Sequence, residues 1–227
     1  MDCWICGSPA DSREHLLKAS DLRHFFGDIT SNSPVFYHSL HRKNVPIRSA
    51  KSNIVKTGKI LCRRCNDTRT QPFDIAWEQL LGNLSKNWTV VKASRRYKLQ
   101  KAFPGSTRAQ SVNVHLYFVK LMGCRIVDDR IPIDIEQFVT SMKTQSCHPG
   151  VFLTYCFRNI PKGDKHYAGI SEVCAKQYNG VAEMATWYYS LGELDIQVTW
   201  FKSDPIKNVP YAWHPQRGGK IIKFRQR

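Results

Sequence analysis

Leu61-Cys-Arg-Arg-Cys-Asn-Asp-Thr-Arg69 is the stretch that decides this fold, because its two cysteines match a second pair near the start of the chain, Cys3-Trp-Ile-Cys6. Each pair has the Cys-x-x-Cys spacing that places two thiolates on one tetrahedral ion. The cost of closing so long a loop rises slowly with its length, whereas structural zinc contributes about 10–16 kcal/mol in zinc-finger peptides. We therefore predict one structural Zn²⁺ held by Cys3, Cys6, Cys62 and Cys65, without which residues 1–70 would be loose.

The charge of the chain predicts a polyanionic partner. Its 227 residues include 34 Lys and Arg against 18 Asp and Glu, a formal net charge of +16. Nucleic acid is the usual partner of so basic a protein, because each neutralised phosphate releases condensed counterions. Residues 86–108 hold seven basic side chains and no acidic one, with Trp88, Tyr97 and Phe103 between them. Such a segment fits a sugar-phosphate backbone, and the alternative is a solvated surface.

The other compositional features predict an ordinary globular protein. Hydrophobic residues make up 42% of the chain, and no apolar run is long enough for a membrane span. The polar start has neither the charged nor the apolar region of a signal peptide, so we expect a cytoplasmic protein without a membrane partner. The remaining cysteines have no paired spacing and are predicted to be small buried hydrophobes without a function: Cys124, Cys147, Cys156 and Cys174.

Hydrophobic periodicity predicts an α+β fold. A short helix is expected after Cys65, and a second one from Pro72 with an apolar face of Phe73, Trp77, Leu80, Leu81 and Leu84. Further helices are predicted from Thr107 and after Asp134, then a strand over 151–157 and a C-terminal antiparallel hairpin formed by 184–190 and 194–201. We divide the chain into a zinc-clamped module, 1–85, and an α+β region, 86–227, that completes the core or binds substrate.

Arg13-Glu14-His15 stands between the two cysteine pairs, and Asn66 directly follows the second pair. This order resembles the zinc-stabilised branch of the HNH (His-Me finger, ββα-metal) endonucleases, in which an acidic-His pair ends the first strand and a Cys-x-x-Cys precedes the catalytic helix. The resemblance covers about residues 1–75. It implies a ββα-metal module that hydrolyses phosphodiester bonds, with DNA the expected substrate.

The resemblance also assigns roles to individual residues. His15 would be the general base, because an imidazole with a pKa near 6.5 is largely neutral at pH 7. Glu14 and Asn66 would be oxygen ligands of a catalytic Mg²⁺ or Mn²⁺ ion. Neighbours in a strand point to opposite faces, so Glu14 and His15 share one site only where the strand ends and twists. Arg69, one helical turn after Asn66, would hold a phosphate.

Two features depart from the family pattern. The central Asn, which braces the loop behind the catalytic His, would fall near Thr57, and the nearest asparagine is Asn53. A threonine donates one hydrogen bond where an asparagine donates and accepts, so the brace is altered or supplied differently. The second departure is the long segment between His15 and Cys62, which implies an insertion near the cleft that contacts substrate.

Three functions remain open from the sequence. Besides a DNA endonuclease, the chain fits a noncatalytic zinc-containing nucleic-acid binder that has lost cleavage, and it fits a ribonuclease. The sequence does not fix the target, nicking against double-strand cleavage, or the oligomeric state. The other histidines lack a partner spacing and are predicted to be structural or on the surface: His24, His38, His41, His115, His148, His166 and His214.

Overall fold

The computed structural model describes residues 1–37, 44–159, 167–203, 209 and 211–227, and these form a mixed α+β fold, as predicted. The strands are β1 (Ser12–His15), β2 (Val35–Tyr37), β3 (Val45–Ile47), β4 (Lys56–Leu61), β5 (Arg96–Lys98), β6 (Val151–Phe157), β7 (Ala168–Ile170), β8 (Cys174–Tyr178), β9 (Val181–Leu191), β10 (Leu194–Phe201) and β11 (Ile221–Gln226). The helices are α1 (Ala19–Phe26), α2 (Gln71–Lys86), α3 (Trp88–Ser94), α4 (Thr107–Asp128) and α5 (Glu136–Thr144). A six-residue π-helical segment, Arg64–Arg69, precedes α2.

The N-terminal part has a β-β-α order. β1 and β4 pair antiparallel, and the π-helical segment and α2 follow them. The insertion expected between β1 and the second cysteine pair carries α1 and the small antiparallel pair β2–β3. It therefore adds structure beside the β1–β4 ladder without breaking it.

The rest of the strands form one sheet in the order β5-β11-β6-β10-β9-β7, with β8 also paired to β9. The predicted hairpin is confirmed as β9 and β10, which turn at Gly192 in a left-handed conformation (φ 56°). β11 lies between β5 and β6, antiparallel to the first and parallel to the second. The C-terminal strand thus connects the basic segment 86–108 to the centre of the sheet.

Helix α4 runs through the core, because most of its residues on every face are apolar. Its residues from Val114 to Ile126 are all buried, as the sequence predicts for this helix. Gly123 faces the ring of Trp4, and a Cβ added there would lie 2.6 Å from Trp4 Cη2. Trp4 belongs to the first cysteine pair, so the cysteine-rich end packs directly on α4. Buried apolar residues from both predicted regions join one cluster, and the boundary at residue 85 stays a prediction.

Other elements match the patterns that predicted them. The apolar face of α2 is buried, and Asp134 Oδ1 accepts a hydrogen bond of 2.9 Å from Glu136 N at the start of α5. One prediction is wrong: Cys174 is exposed, because β8 is an edge strand with little covering it. In the described ranges, no helix has the length and apolar character needed to cross a bilayer.

Candidate functional site

The four cysteines of the two Cys-x-x-Cys pairs lie together at the N-terminal end. Their sulfur atoms all lie within 4.8 Å of one another, and Cys6 Sγ is 3.5 Å from Cys62 Sγ. A tetrahedral Zn²⁺ with Zn–S bonds of about 2.3 Å separates its sulfur ligands by about 3.8 Å. The donor set and its spacing therefore fit a structural metal ion such as Zn²⁺.

Backbone contacts hold this cluster in place. Trp4 N donates to Ile60 O at 3.2 Å, which ties the first cysteine pair to β4 just before the second pair. Asp11 Oδ1 accepts from Arg63 N at 2.8 Å, at the start of the π-helical segment. Gly7 takes a left-handed conformation (φ 78°) that lets its N–H reach Cys3 O at 2.8 Å. Hydrogen bonds to the backbone therefore fix the positions of both cysteine pairs.

The thiols of the cluster differ in their pKa values. Hydrogen bonds from Ser8 lower the pKa of Cys6 to about 6, whereas burial raises the pKa of Cys65. A bound cation holds its cysteine ligands as thiolates, so metal binding would release protons from the more buried thiols.

Asn66 lies against β1. Its side-chain Nδ2 donates to Ser12 Oγ at 3.0 Å and to Arg13 O at 3.2 Å, the two residues before Glu14. Its backbone is held from both sides, by Cys62 O at 3.0 Å and by Thr70 Oγ1 at 2.8 Å. Within the described part of the chain, no donor reaches the side-chain oxygen of Asn66.

Thr57 lies in β4, near where the resemblance would place the central Asn. Its Oγ1 accepts a hydrogen bond of 3.0 Å from Glu14 N and donates one of 2.9 Å to Gly58 O. Arg13 Nη1 donates to Thr57 O at 3.3 Å. The side chain is buried, while Asn53 is exposed in a short 3₁₀ turn. The hydroxyl of Thr57 therefore braces β1 at the Glu14-His15 pair.

His15 ends β1, opposite Lys56 of β4. Its side chain is half-buried, and its Nε2 atom is buried without a hydrogen-bond partner among the described residues. Burial and, to a smaller extent, the positive charge of Lys56 together lower the pKa of His15 to about 4. The imidazole is therefore neutral at pH 7.

Glu14 faces the interior and forms an ion pair with the buried Lys120 of α4, with Oε1 3.0 Å from Lys120 Nζ. Lys120 Nζ also lies 3.1 Å from Asp74 Oδ1. Burial raises the pKa of Glu14, and Lys120 opposes that rise. Burial lowers the pKa of Lys120, but Glu14 and Asp74 more than offset it, so the net shift is upward. One ammonium is thus shared by two carboxylates.

Glu14 and His15 border the same group of charges. The pKa values of both respond to Lys120, Asp74 and Lys18, although the two side chains are neighbours in a strand. The pairing of β1 with β4 is irregular here: Arg13 faces Lys59, and His15 faces Lys56. An extra residue in one strand bends the ladder and increases its twist. The sequence argument expected such a twist at this strand end.

Arg69 ends the π-helical segment. It is half-buried, and its Nη1 atom is buried with no hydrogen-bond partner in the described ranges. A buried guanidinium nitrogen without an acceptor is costly unless an anion completes it. Arg63 and Arg64 are exposed on the same segment.

Sequence reasoning missed Lys120, Asp74 and Lys18. Lys18 Nζ lies 3.7 Å from Asp74 Oδ1 and 2.8 Å from Glu78 Oε1. A signal for Lys120 was present, because it is the single charged residue in the apolar run VHLYFVKLMGC of α4. A lysine on a fully buried helix needs carboxylate partners.

The remaining histidines agree with structural or surface roles where they are described. His115, His148 and His214 are buried, whereas His24 is exposed and lies 3.1 Å from Ser85 Oγ. His38, His41 and His166 lie outside the described residues.

No protein-family model matches this chain, and no curated protein or solved structure is significantly similar to it. The likeness to HNH endonucleases therefore depends on the motif residues alone.

Proposed function

We propose that this protein is a metal-dependent endonuclease that hydrolyses phosphodiester bonds of DNA, with His15 as the general base. The observation that carries the proposal is the contact of Asn66 with β1: Nδ2 donates to Ser12 Oγ and Arg13 O, directly before Glu14 and His15 in the same strand, and no donor among the described residues reaches the amide oxygen. The family resemblance places a divalent cation between such groups. Arg69 is the candidate phosphate ligand.

Each side chain has a role that its surroundings support. A Mg²⁺ or Mn²⁺ ion held by Glu14 and Asn66 would neutralise charge on the phosphoryl and leaving oxygens. His15 would accept the proton of an attacking water at Nε2 in the tautomer that carries its hydrogen on Nδ1, because the imidazole is neutral at pH 7 and Nε2, a buried atom, has no partner in the described chain. The hydroxyl of Thr57 keeps the strand end in place through Glu14 N.

The ion pair between Glu14 and Lys120 reduces the number of positions at which the Glu14 carboxylate could bind a metal ion. A carboxylate offers about four acceptor positions, so the contact of Oε1 with Lys120 leaves positions for a cation. Lys120 would then hold Glu14 and Asp74 in place from behind. The same ion pair favours a second candidate function, a noncatalytic zinc-containing nucleic-acid binder, because Glu14 already has a cationic partner.

A cleavage assay separates the two functions. Purified full-length protein is incubated with supercoiled plasmid and Mg²⁺ or Mn²⁺, and we expect nicked or linear product that disappears with EDTA and returns when Mg²⁺ alone is added. His15→Ala should lower the rate at least 100-fold, since general-base catalysis contributes about 10²–10⁴. The matched control is His24→Ala, which changes an exposed histidine of α1.

Zinc content and DNA affinity are measured for the same variants. Normal zinc and binding with lost cleavage in His15→Ala supports the endonuclease. Full activity of that variant removes His15 from the mechanism, and binding without cleavage by the wild-type protein supports the noncatalytic function. RNA and DNA of matched sequence, offered in competition, test the ribonuclease alternative.

A further inference from the structure

A basic groove lies at the edge of the large sheet, built from residues that the hydrolytic proposal does not use. Its volume is about 730 Å³, and its lining includes Arg95, Arg96, Lys223, Arg225 and Tyr211. Among the residues that the structure describes, no acidic one lines it. Two segments of the sequence supply these cations, residues 86–108 and residues 207–227. Neither segment contains an acidic residue.

The pairing of β5 with β11 places like charges next to each other. Arg96 and Lys223 face each other across the ladder, and both are exposed. Their neighbours in the same two strands, Tyr97 and Ile222, are buried on the opposite face. Like charges directly opposite in a sheet destabilise it. A polyanion bound on this face would remove that repulsion.

Most of these cations have no partner in the described chain. The side chains of Arg95, Arg96 and Lys223 form no ion pair or hydrogen bond there, while exposed lysines elsewhere do, as Lys202 does with Glu183 Oε1 at 2.9 Å. Arg225 is fixed by Gln197 Oε1 at 2.6 Å and Cys156 Sγ at 3.2 Å. The groove thus combines one fixed guanidinium with unpaired cations.

Two lining residues adopt a left-handed backbone. Arg95 has φ 53° because it ends α3, and Tyr211 has φ 64°. A left-handed tyrosine is uncommon, and such conformations are enriched at binding sites. Tyr211 is 52% exposed, so its ring is available for a base to stack on.

We propose that this groove binds the sugar-phosphate backbone of nucleic acid at a place separate from the hydrolytic site. Arg95, Arg96 and Lys223 contact phosphates, and Tyr211 stacks on an exposed base. Unpaired cations, a concave surface and an exposed aromatic ring favour nucleic acid over an anionic membrane. A membrane-binding surface would also carry apolar side chains that insert into the bilayer. The proposal uses the nucleic-acid substrate of the proposed function and is independent of cleavage.

The test is fluorescence anisotropy of a labelled DNA oligonucleotide with full-length protein, in Ca²⁺ in place of Mg²⁺ so that DNA is bound without being cut. Arg96→Glu/Lys223→Glu should raise the Kd at least tenfold, and the slope of log K against log salt should fall by about 2. The matched control is Lys143→Glu/Lys176→Glu, the same charge change on α5 and on β8 at the far edge of the sheet. The control Kd should stay within twofold.

Equal affinity of the groove variant and its control overturns the proposal. A groove variant that binds DNA normally but loses binding to phosphatidylserine vesicles overturns it as well, in favour of a membrane. Circular dichroism and zinc content test whether each variant is folded. If Arg96→Glu/Lys223→Glu is unfolded, Arg96→Gln/Lys223→Gln is used in its place. Tyr211→Ala should weaken single-stranded DNA more than duplex DNA.

The two proposals fail in different ways. His15→Ala should bind DNA with wild-type affinity, and the groove variant should cleave at the wild-type single-turnover rate once DNA is saturating. If the groove variant loses DNA binding and the wild-type protein does not cleave DNA, the groove proposal is supported and the endonuclease proposal is contradicted.

Discussion

The cysteine-rich end and the region around α4 are stabilised by different means. Between residues 1 and 70 the strands are short, and the four cysteines join the chain's start to β4 and the π-helical segment. The α4 region has a buried helix of 22 residues and the strands of the large sheet, among them β9 with 11 residues. The end with the short strands holds the candidate site, and Lys120 reaches that site from the α4 region.

Loss of the cysteine cluster should have the largest effect. Cys62→Ser/Cys65→Ser is expected to remove bound zinc and unfold residues 1–70, because the roughly 10–16 kcal/mol of structural zinc is comparable with a domain's whole stability of about 5–15 kcal/mol. Metal analysis and hydrogen exchange measure this, with Cys174→Ser as the exposed control. If the amides of β1 in this variant stay as protected from hydrogen exchange as those of α4, the cysteine-rich end does not depend on the metal ion for its stability.

Removal of the shared ammonium should come next. Lys120→Met leaves the buried Glu14 without its cation, whereas the half-buried Asp74 keeps Lys18, and breaking a buried pair costs about 3–5 kcal/mol. Denaturant unfolding measures the loss. Lys120→Met/Glu14→Gln should recover much of it, and Lys143→Met is the exposed control. An unchanged midpoint in the single variant would show that α4 does not support the site.

Acid should destabilise the α4 region through two buried histidines, beside the contribution of His15 in the N-terminal part. Burial lowers the pKa of His115 to about 3 and that of His148 to about 4, against about 6.5 in the unfolded chain. Their stabilising contribution is complete above pH 6.5 and is lost as the pH falls toward 4, because the unfolded chain then binds more protons. When the pH falls from 7.5 to 5, each of these two histidines should lower the free energy of unfolding by about 2 kcal/mol.

His148→Asn tests this dependence, because an amide oxygen can replace Nδ1 as the acceptor for Gly150 N. The variant should flatten the pH profile of unfolding, whereas His24→Asn on the surface should not. A profile that stays as steep in His148→Asn assigns the acid sensitivity to other groups.

The smallest effect is expected at the brace of β1. Thr57→Val leaves Glu14 N without its acceptor in a buried place, at a cost of about 1–3 kcal/mol. Thr57→Ser keeps the hydroxyl and should retain stability and cleavage. Equal losses in both variants would mean that packing, and not the hydrogen bond, matters at this position.

The sequence predicts the local elements better than the long-range contacts. The apolar faces of α2 and α4 and the β9–β10 hairpin follow from periodicity, and the cysteine cluster follows from spacing. The ion pair of Glu14 with Lys120 joins residues from opposite sides of the core, so no local pattern specifies it. Likewise, the position of β11 between β5 and β6 depends on tertiary pairing. Of the basic groove, the sequence predicted only the charged segment 86–108.

The placement of β11 also sets an order for folding during synthesis. β5 meets the rest of the sheet through β11, so Tyr97 cannot gain its cover from Ile222 until more than a hundred further residues have left the ribosome. Until then β5 and the edge of β6 that receives β11 stay open to solvent and to other chains. That edge is therefore accessible to a chaperone until β11 has been synthesised.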